Sequence, residues 1–262
     1  MLVDSHCHLN FPDFKDDLDG VVARAREAGV GVMQTICTDM AEFDEIYAIT
    51  ERYEGIYCSV GVHPNDAGET TVVKAAELVA KAALPNVIGI GETGLDYHYE
   101  RSDRETQKLS FIEHIRAARE TGLPVIVHTR DAEEDTISIL KEQMSEGYFK
   151  GLIHCFTSSS YLAEESIKLG LSISISGIVT FKNAQAIRDA ITSIPVERLL
   201  VETDAPYLAP IPHRGKRNEP SFVIYTNKIV AELKQLSPER CAEITSQNFF
   251  RLFDKAKPGA FA

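Results

Sequence analysis

The sequence predicts a single-domain (β/α)8 TIM barrel spanning residues 1–262, and three observations carry that expectation. Strand-like apolar runs alternate with helical patterns from end to end, and the strand runs number eight. No linker, low-complexity tract or internal repeat interrupts them. A length of 262 residues suits one barrel domain. The competing doubly wound sheet lacks support, because no glycine-rich phosphate loop follows the first strand.

The elements follow in order. Leu2 to His6 reads as the first strand. Leu18, Val21, Val22, Ala25 and Ala28 then repeat at helical spacing, and Gly29 closes that helix. Residues 31–37 form the second strand, with a helix from about Glu42 to Arg52. Residues 56–62 form the third, with a helix near Val72 to Ala83. The fourth runs from Asn86 to Ile90 and ends in Gly91-Glu92-Thr93-Gly94. The next helix is expected to bury Leu109, Ile112, Ile115 and Ala118 and to stop at Gly122. Pro124 opens the fifth strand, 125–128. Ile137, Leu140 and Met144 mark the following helix. Strands at 151–154, 171–175 and 198–202 complete the set. A proline-rich loop, 206–220, precedes two terminal helices, the last capped by Ser237 with Pro238 as first helical residue.

Composition bounds the function. Hydrophobic content of 44% and charged content of 25% are those of a globular protein. Cys7, Cys37, Cys58, Cys155 and Cys241 are odd in number and have no paired spacing, so a reduced, cytoplasmic chain is expected. The start has no signal-peptide pattern, and no apolar run reaches membrane-spanning length, so no membrane partner is expected. No obligate protein partner is evident, and a monomer is the expectation. A net charge of −12 argues against a broad cationic surface for coating nucleic acid.

Barrel enzymes place their chemistry at the C-terminal ends of the strands. Six strand ends here carry a metal-capable or acid–base residue: His6 and His8, His63, Glu92, His128, His154, and Glu202 with Asp204. Five of the eight histidines fall at that one position, which scattered core or surface histidines have no reason to do. His6 and His8 share a face of an extended segment, as do Glu202 and Asp204. Counting Ile88, Ile90 and Glu92 on one face aims Glu92 into the lumen. Imidazoles with carboxylates suit zinc, manganese, iron or nickel and leave magnesium open. Six ligands exceed what one open catalytic ion needs and fit two ions sharing a carboxylate.

Longer motifs add a resemblance. Asp4-Ser5-His6-Cys7-His8, Gly61-Val62-His63-Pro64, Gly91 to Tyr97, Val127-His128-Thr129-Arg130 and His154-Cys155-Phe156 occur in order. Glu202 to Leu208, Arg214 to Pro220 and Asn248 to Phe253 follow. Together they resemble the TatD-type metal-dependent hydrolases and deoxyribonucleases of the amidohydrolase superfamily, nearly end to end. Ala205 departs from the serine common there. The resemblance implies His6, His8, Glu92 and Asp204 around one divalent cation (Mg, Mn or Zn) and Glu92, His128 and His154 around a second. Glu92 then bridges them, where other branches use a modified lysine.

The chemistry expected is attack of an activated water on phosphorus, with Asp204 or Glu202 managing the proton. His63 is expected to contact the scissile phosphate or protonate the leaving group. His213, Arg214, Lys216 and Arg217 form the one dense basic cluster, in the loop beyond Asp204. Arg214 and Lys216 are expected to grip phosphate, with Arg130 and Lys182 as weaker candidates. Tyr97 and Tyr207 are candidates for stacking on a base. The expected function is exonuclease-like hydrolysis from DNA ends. Two alternatives stand beside it: an ester or amide hydrolase with the same centre, such as an aminoacyl-tRNA deacylase, and a non-catalytic metal-dependent binding protein.

Overall fold

The structure is a computed structural model that describes residues 1–68 and 72–258. Eight strands, β1 (Leu2–Cys7), β2 (Val30–Thr35), β3 (Ile56–Val60), β4 (Val87–Asp96), β5 (Val125–Arg130), β6 (Gly151–Ile153), β7 (Ser172–Ile175) and β8 (Leu199–Val201), pair in sequence order. Every pairing is parallel. The ring closes just past β8. Cys7 bridges Ala205, Asp204 N donates to His6 O at 2.9 Å, and His8 N donates to Ala205 O at 2.8 Å.

Nine helices occur among the described residues: α1 (Leu18–Glu27), α2 (Phe43–Arg52), α3 (Ala75–Ala82), α4 (Arg104–Thr121), α5 (Glu133–Glu146), α6 (Ser160–Lys168), α7 (Gln185–Ser193), α8 (Val223–Leu233) and α9 (Pro238–Leu252). The terminal signals behave as their chemistry dictates. Gly122 ends α4 in the left-handed region at φ 72°, and Ser237 accepts from Arg240 N at the start of α9. The short helices α6 and α7 fill intervals that hydrophobic periodicity did not mark out individually. None of the described helices is long and apolar enough to cross a membrane.

Two details of the sequence expectation change. Leu109 is 57% exposed, whereas Phe111, His114, Ile115 and Ala118 are buried. Six residues from Ile115, Leu109 lies about 120° around the helix and misses the core stripe. On β4, Ile88 packs inside the barrel while Ile90 packs outward against the helices. Plain alternation therefore does not bring Glu92 inward. Irregularities at Cys58/Ser59 against β3 and at Ile90/Thr93 against β5 shift the register twice, and Glu92 lies past the first and within the second.

The core has two layers. The larger lies between strands and helices. The smaller is inside the barrel, where Val3, Val32, Ile88, Ile126, Leu152 and Leu200 meet Phe249, Leu252 and Phe253 at the end of the chain. The lower lumen is thus apolar and plugged. The polar residues of the strand ends collect above it, at the opposite mouth.

Candidate metal centre

Glu92 is at the middle of the mouth, 3% exposed. Its Oε2 lies 3.3 Å from His6 Nε2. Its Oε1 lies 2.7 Å from His154 Nε2, 2.9 Å from His128 Nδ1 and 3.6 Å from His63 Nε2. Asp204 Oδ1 lies 3.4 Å from His8 Nε2 and 3.6 Å from His6 Nε2. The two carboxylate oxygens of Glu92 therefore face two different histidine groups. Ligand atoms of His6, His8 and Glu92 lie within 4.8 Å of one another, as do those of His63, Glu92 and His128, and those of His6, His154 and Glu202.

The donor set fits a divalent cation. Both ring nitrogens of buried His6, and Nδ1 of His8, lack a hydrogen-bond partner. Unpartnered buried nitrogens are costly unless something else takes their lone pairs. Burial alone would raise the Glu92 carboxyl, but the imidazoles of His154, His128 and His6 hold it well below the usual range. An ionised carboxylate is therefore available between the two histidine groups.

Two further carboxylates set the rings. Asp96 Oδ2 lies 3.3 Å from His128 Nε2, so that ring offers Nδ1 to Glu92. Glu202 Oε1 lies 3.5 Å from His154 Nδ1, so that ring offers Nε2. Carboxylates behind metal-ligating histidines fix orientation and ligand basicity in this way. Glu202 is fully buried and accepts from Cys155 N at 2.7 Å. That setting suits an orienting group, whereas Asp204 is at the mouth with its side chain 14% exposed.

Sequence reasoning gave no role to Asp96. It is four residues past Glu92 at the end of the same strand, and that spacing was a usable signal. Its Oδ1 also accepts from His98 N and Tyr99 N, and its Oδ2 from Asn65 Nδ2, which fixes the loop after β4. Asp4 was likewise quoted without a role. Burial pushes its carboxyl up to about 8, and it accepts from Thr203 N and Thr203 Oγ1, tying β1 to the segment after β8. His114 on α4 carried no signal. It accepts from Val62 N at 2.9 Å and holds the backbone beside His63.

His63 accepts from Asn65 N through Nδ1, which leaves Nε2 facing Glu92. Burial and the neighbouring His128 push it down to about 3, so the ring is neutral with its proton on Nε2.

The basic cluster divides. Arg217 is committed to Asp17 Oδ2 and Asp13 O, both at 2.8 Å, in a network where Arg24 holds Glu219. His213 stacks on Phe222 with centroids 3.9 Å apart. Arg214 lies 3.9 Å over Phe181, beside Lys182. Arg214, Lys216, Lys182 and Arg130 make no ion pair among the described residues. Arg130 lies 4.8 Å over the Tyr99 ring. Tyr97 is tied to Asp135 at 2.6 Å. Tyr207 is 54% exposed beside His8 and Phe11.

Comparison with known proteins follows the same lines. The family model described as TatD related DNase matches residues 3–254. The metal-dependent hydrolase YabD of Bacillus subtilis is 42% identical over 253 residues, covering 97% of this chain and 99% of its own. The 3'-5' ssDNA/RNA exonuclease TatD of Cronobacter sakazakii is 35% identical, covering 97% and 98%. Among solved structures, YJJV, a TatD homolog of Escherichia coli K12, superimposes with a TM-score of 0.88 at 28% identity, covering 97% of this chain and 98% of the other.

Proposed function

Because this chain belongs to the TatD-related DNase family of metal-dependent hydrolases, we propose that it hydrolyses phosphodiester bonds of DNA from strand ends. The observation that carries the reading is the division of Glu92, with one oxygen toward His6 and the other toward His128 and His154. It supports a pair of cations, one of which His6, His8 and Asp204 would hold and the other His128 and His154, with Glu92 available to both.

Two divalent cations supply an activated water and neutralise charge on a phosphoryl group when bound. Asp204, at the mouth beside His6 and His8, takes the proton. His63 is neutral and carries its proton on Nε2. It therefore serves as a hydrogen-bond donor to a phosphoryl oxygen and not as the acid for the leaving group. Glu202 and Asp96 hold the rings of His154 and His128. The apolar lower lumen confines water to the mouth.

The end-directed mode rests on charge. In a chain of net charge −12, a few unpaired cations at the mouth can neutralise a few phosphates but provide no long track for duplex DNA. The exonuclease named among the relatives is in keeping with this mode. The test is a time course on end-labelled oligonucleotides beside closed circular DNA, with magnesium or manganese. Progressive release of mononucleotides, with the circle intact, is expected. Rapid nicking of the circle overturns the end-directed mode. No cleavage of any DNA, together with hydrolysis of an aminoacyl ester, moves the assignment to the ester hydrolase.

A further inference from the structure

Two unlike sets of loops form open pockets beyond the C-terminal ends of the strands. The loops after β4, β5 and β6 border an open cavity of about 630 Å3, within the size range of small-molecule sites. Its lining adjoins the candidate ligands along the chain: Tyr97 follows Asp96, Arg130 is two residues past His128, and Thr157 is three past His154. Two arginines line it, Arg104 and Arg130, against four carboxylates. On another arc of the ring, in the loops after β7 and β8, Lys182 and Arg214 line a groove of about 270 Å3, with Lys216 two residues on.

The four carboxylates are not equivalent. Glu133 accepts from Ser159 N at 2.8 Å, and Asp135 accepts from the Tyr97 hydroxyl at 2.6 Å and pairs with Lys108 at 3.0 Å. Both hold the cavity wall together. Asp131 meets only the half-exposed His98, at 3.1 Å, and Glu134 has no ion pair among the described residues. Glu134 is exposed and free to meet a ligand, and Asp131 is exposed with its second oxygen unengaged. Arg130, unpaired above Tyr99, lies two residues past His128 on the same strand.

Building on the nuclease reading, we infer that the cavity receives the terminal nucleoside of the strand and selects an end bearing a free hydroxyl over one bearing a phosphate. Lys182, Arg214 and Lys216 take the phosphodiester chain on the other side of the scissile bond. An ionised carboxylate accepts hydrogen bonds from a sugar hydroxyl. A terminal phosphate dianion would instead meet like charge at Asp131 and Glu134, and such juxtaposition is strongly disfavoured. Arg130 offers its charge to the scissile phosphate, the one phosphate that joins the nucleoside in the cavity to the strand. The division of charge thus gives the strand a direction across the mouth.

The experiment uses the metal-loaded protein and single-stranded oligonucleotides that carry a hydroxyl or a phosphate at the 3' end or at the 5' end. Phosphorylating the attacked end is expected to slow the first cut about tenfold or more, while phosphorylating the other end changes little. In the double variant Asp131→Asn, Glu134→Gln, that ratio should fall toward one with metal content unchanged. Lys182→Ala with Arg214→Ala should raise KM for a long oligonucleotide toward that for a dinucleotide. Equal rates on hydroxyl and phosphate ends, or an unchanged ratio in the double variant, overturn the inference and leave the nuclease reading intact. If no oligonucleotide or dinucleotide is cut, the nuclease reading itself falls.

Discussion

Asp96 stands 3.3 Å from Nε2 of His128 and so turns the opposite nitrogen of that ring toward Glu92. Replacing it with asparagine retains an acceptor for the loop amides but removes the charge behind the imidazole. Metal affinity should fall about 10- to 100-fold, read by calorimetric titration of metal into apo-protein. Unchanged affinity would remove Asp96 from the metal centre.

Glu92 is expected to be the shared ligand. Wild-type protein should bind up to two divalent ions per chain, and Glu92→Ala should lose tight binding at both positions. Elemental analysis after dialysis checks this. Two ions retained by the variant would show that the bridge is elsewhere.

Glu202 is buried between Cys155 N and His154 Nδ1. Glu202→Gln should therefore weaken metal binding and turnover together, with turnover largely restored at saturating metal. Turnover lost at full metal loading would return Glu202 to an acid–base role.

His114 links α4 to the segment that presents His63. Burial pushes its ring down to about 4 from the ordinary 6.5. The fold binds the neutral ring, whereas the unfolded chain takes up a proton near 6.5. The stability this provides is present above pH 6.5 and is lost as pH falls toward 4, by about 3 kcal/mol in total. Urea unfolding at several pH values should show this loss in wild type and a shallower one in His114→Gln. Parallel pH profiles would refute it.

Arg217 and Arg214 are three residues apart but should behave differently. Arg217→Ala breaks the contacts to Asp17 and Asp13 and should cost about 1 kcal/mol of stability, without altering the salt dependence of DNA binding. Arg214→Ala with Lys216→Ala should leave metals in place and flatten that dependence. The wild-type slope should correspond to about two to four phosphate contacts. Binding isotherms at several salt concentrations, beside thermal melts, separate the two roles.

The sequence by itself determined the barrel, its strand order and the positions of the chemistry. Periodicity needs only neighbours along the chain, and a parallel barrel forces each strand's C-terminal end onto one face. His6, His8, His128, His154 and Asp204 stood out because each lies at or near a strand end, whereas β4 runs on four residues past Glu92 to Asp96. Tertiary structure alone decided how Glu92 turns inward, because two register shifts on β4 override simple alternation. It also decided which nitrogen each histidine presents, since that depends on Asp96 and Glu202, brought from other strands. Basic residues adjacent in sequence parted for the same reason. Arg217 met Asp17, about 200 positions away in the chain, while Arg214 found an aromatic face and kept its charge unpaired. Local pattern records which residues lie at the mouth; long-range partners decide what each of them is free to do there.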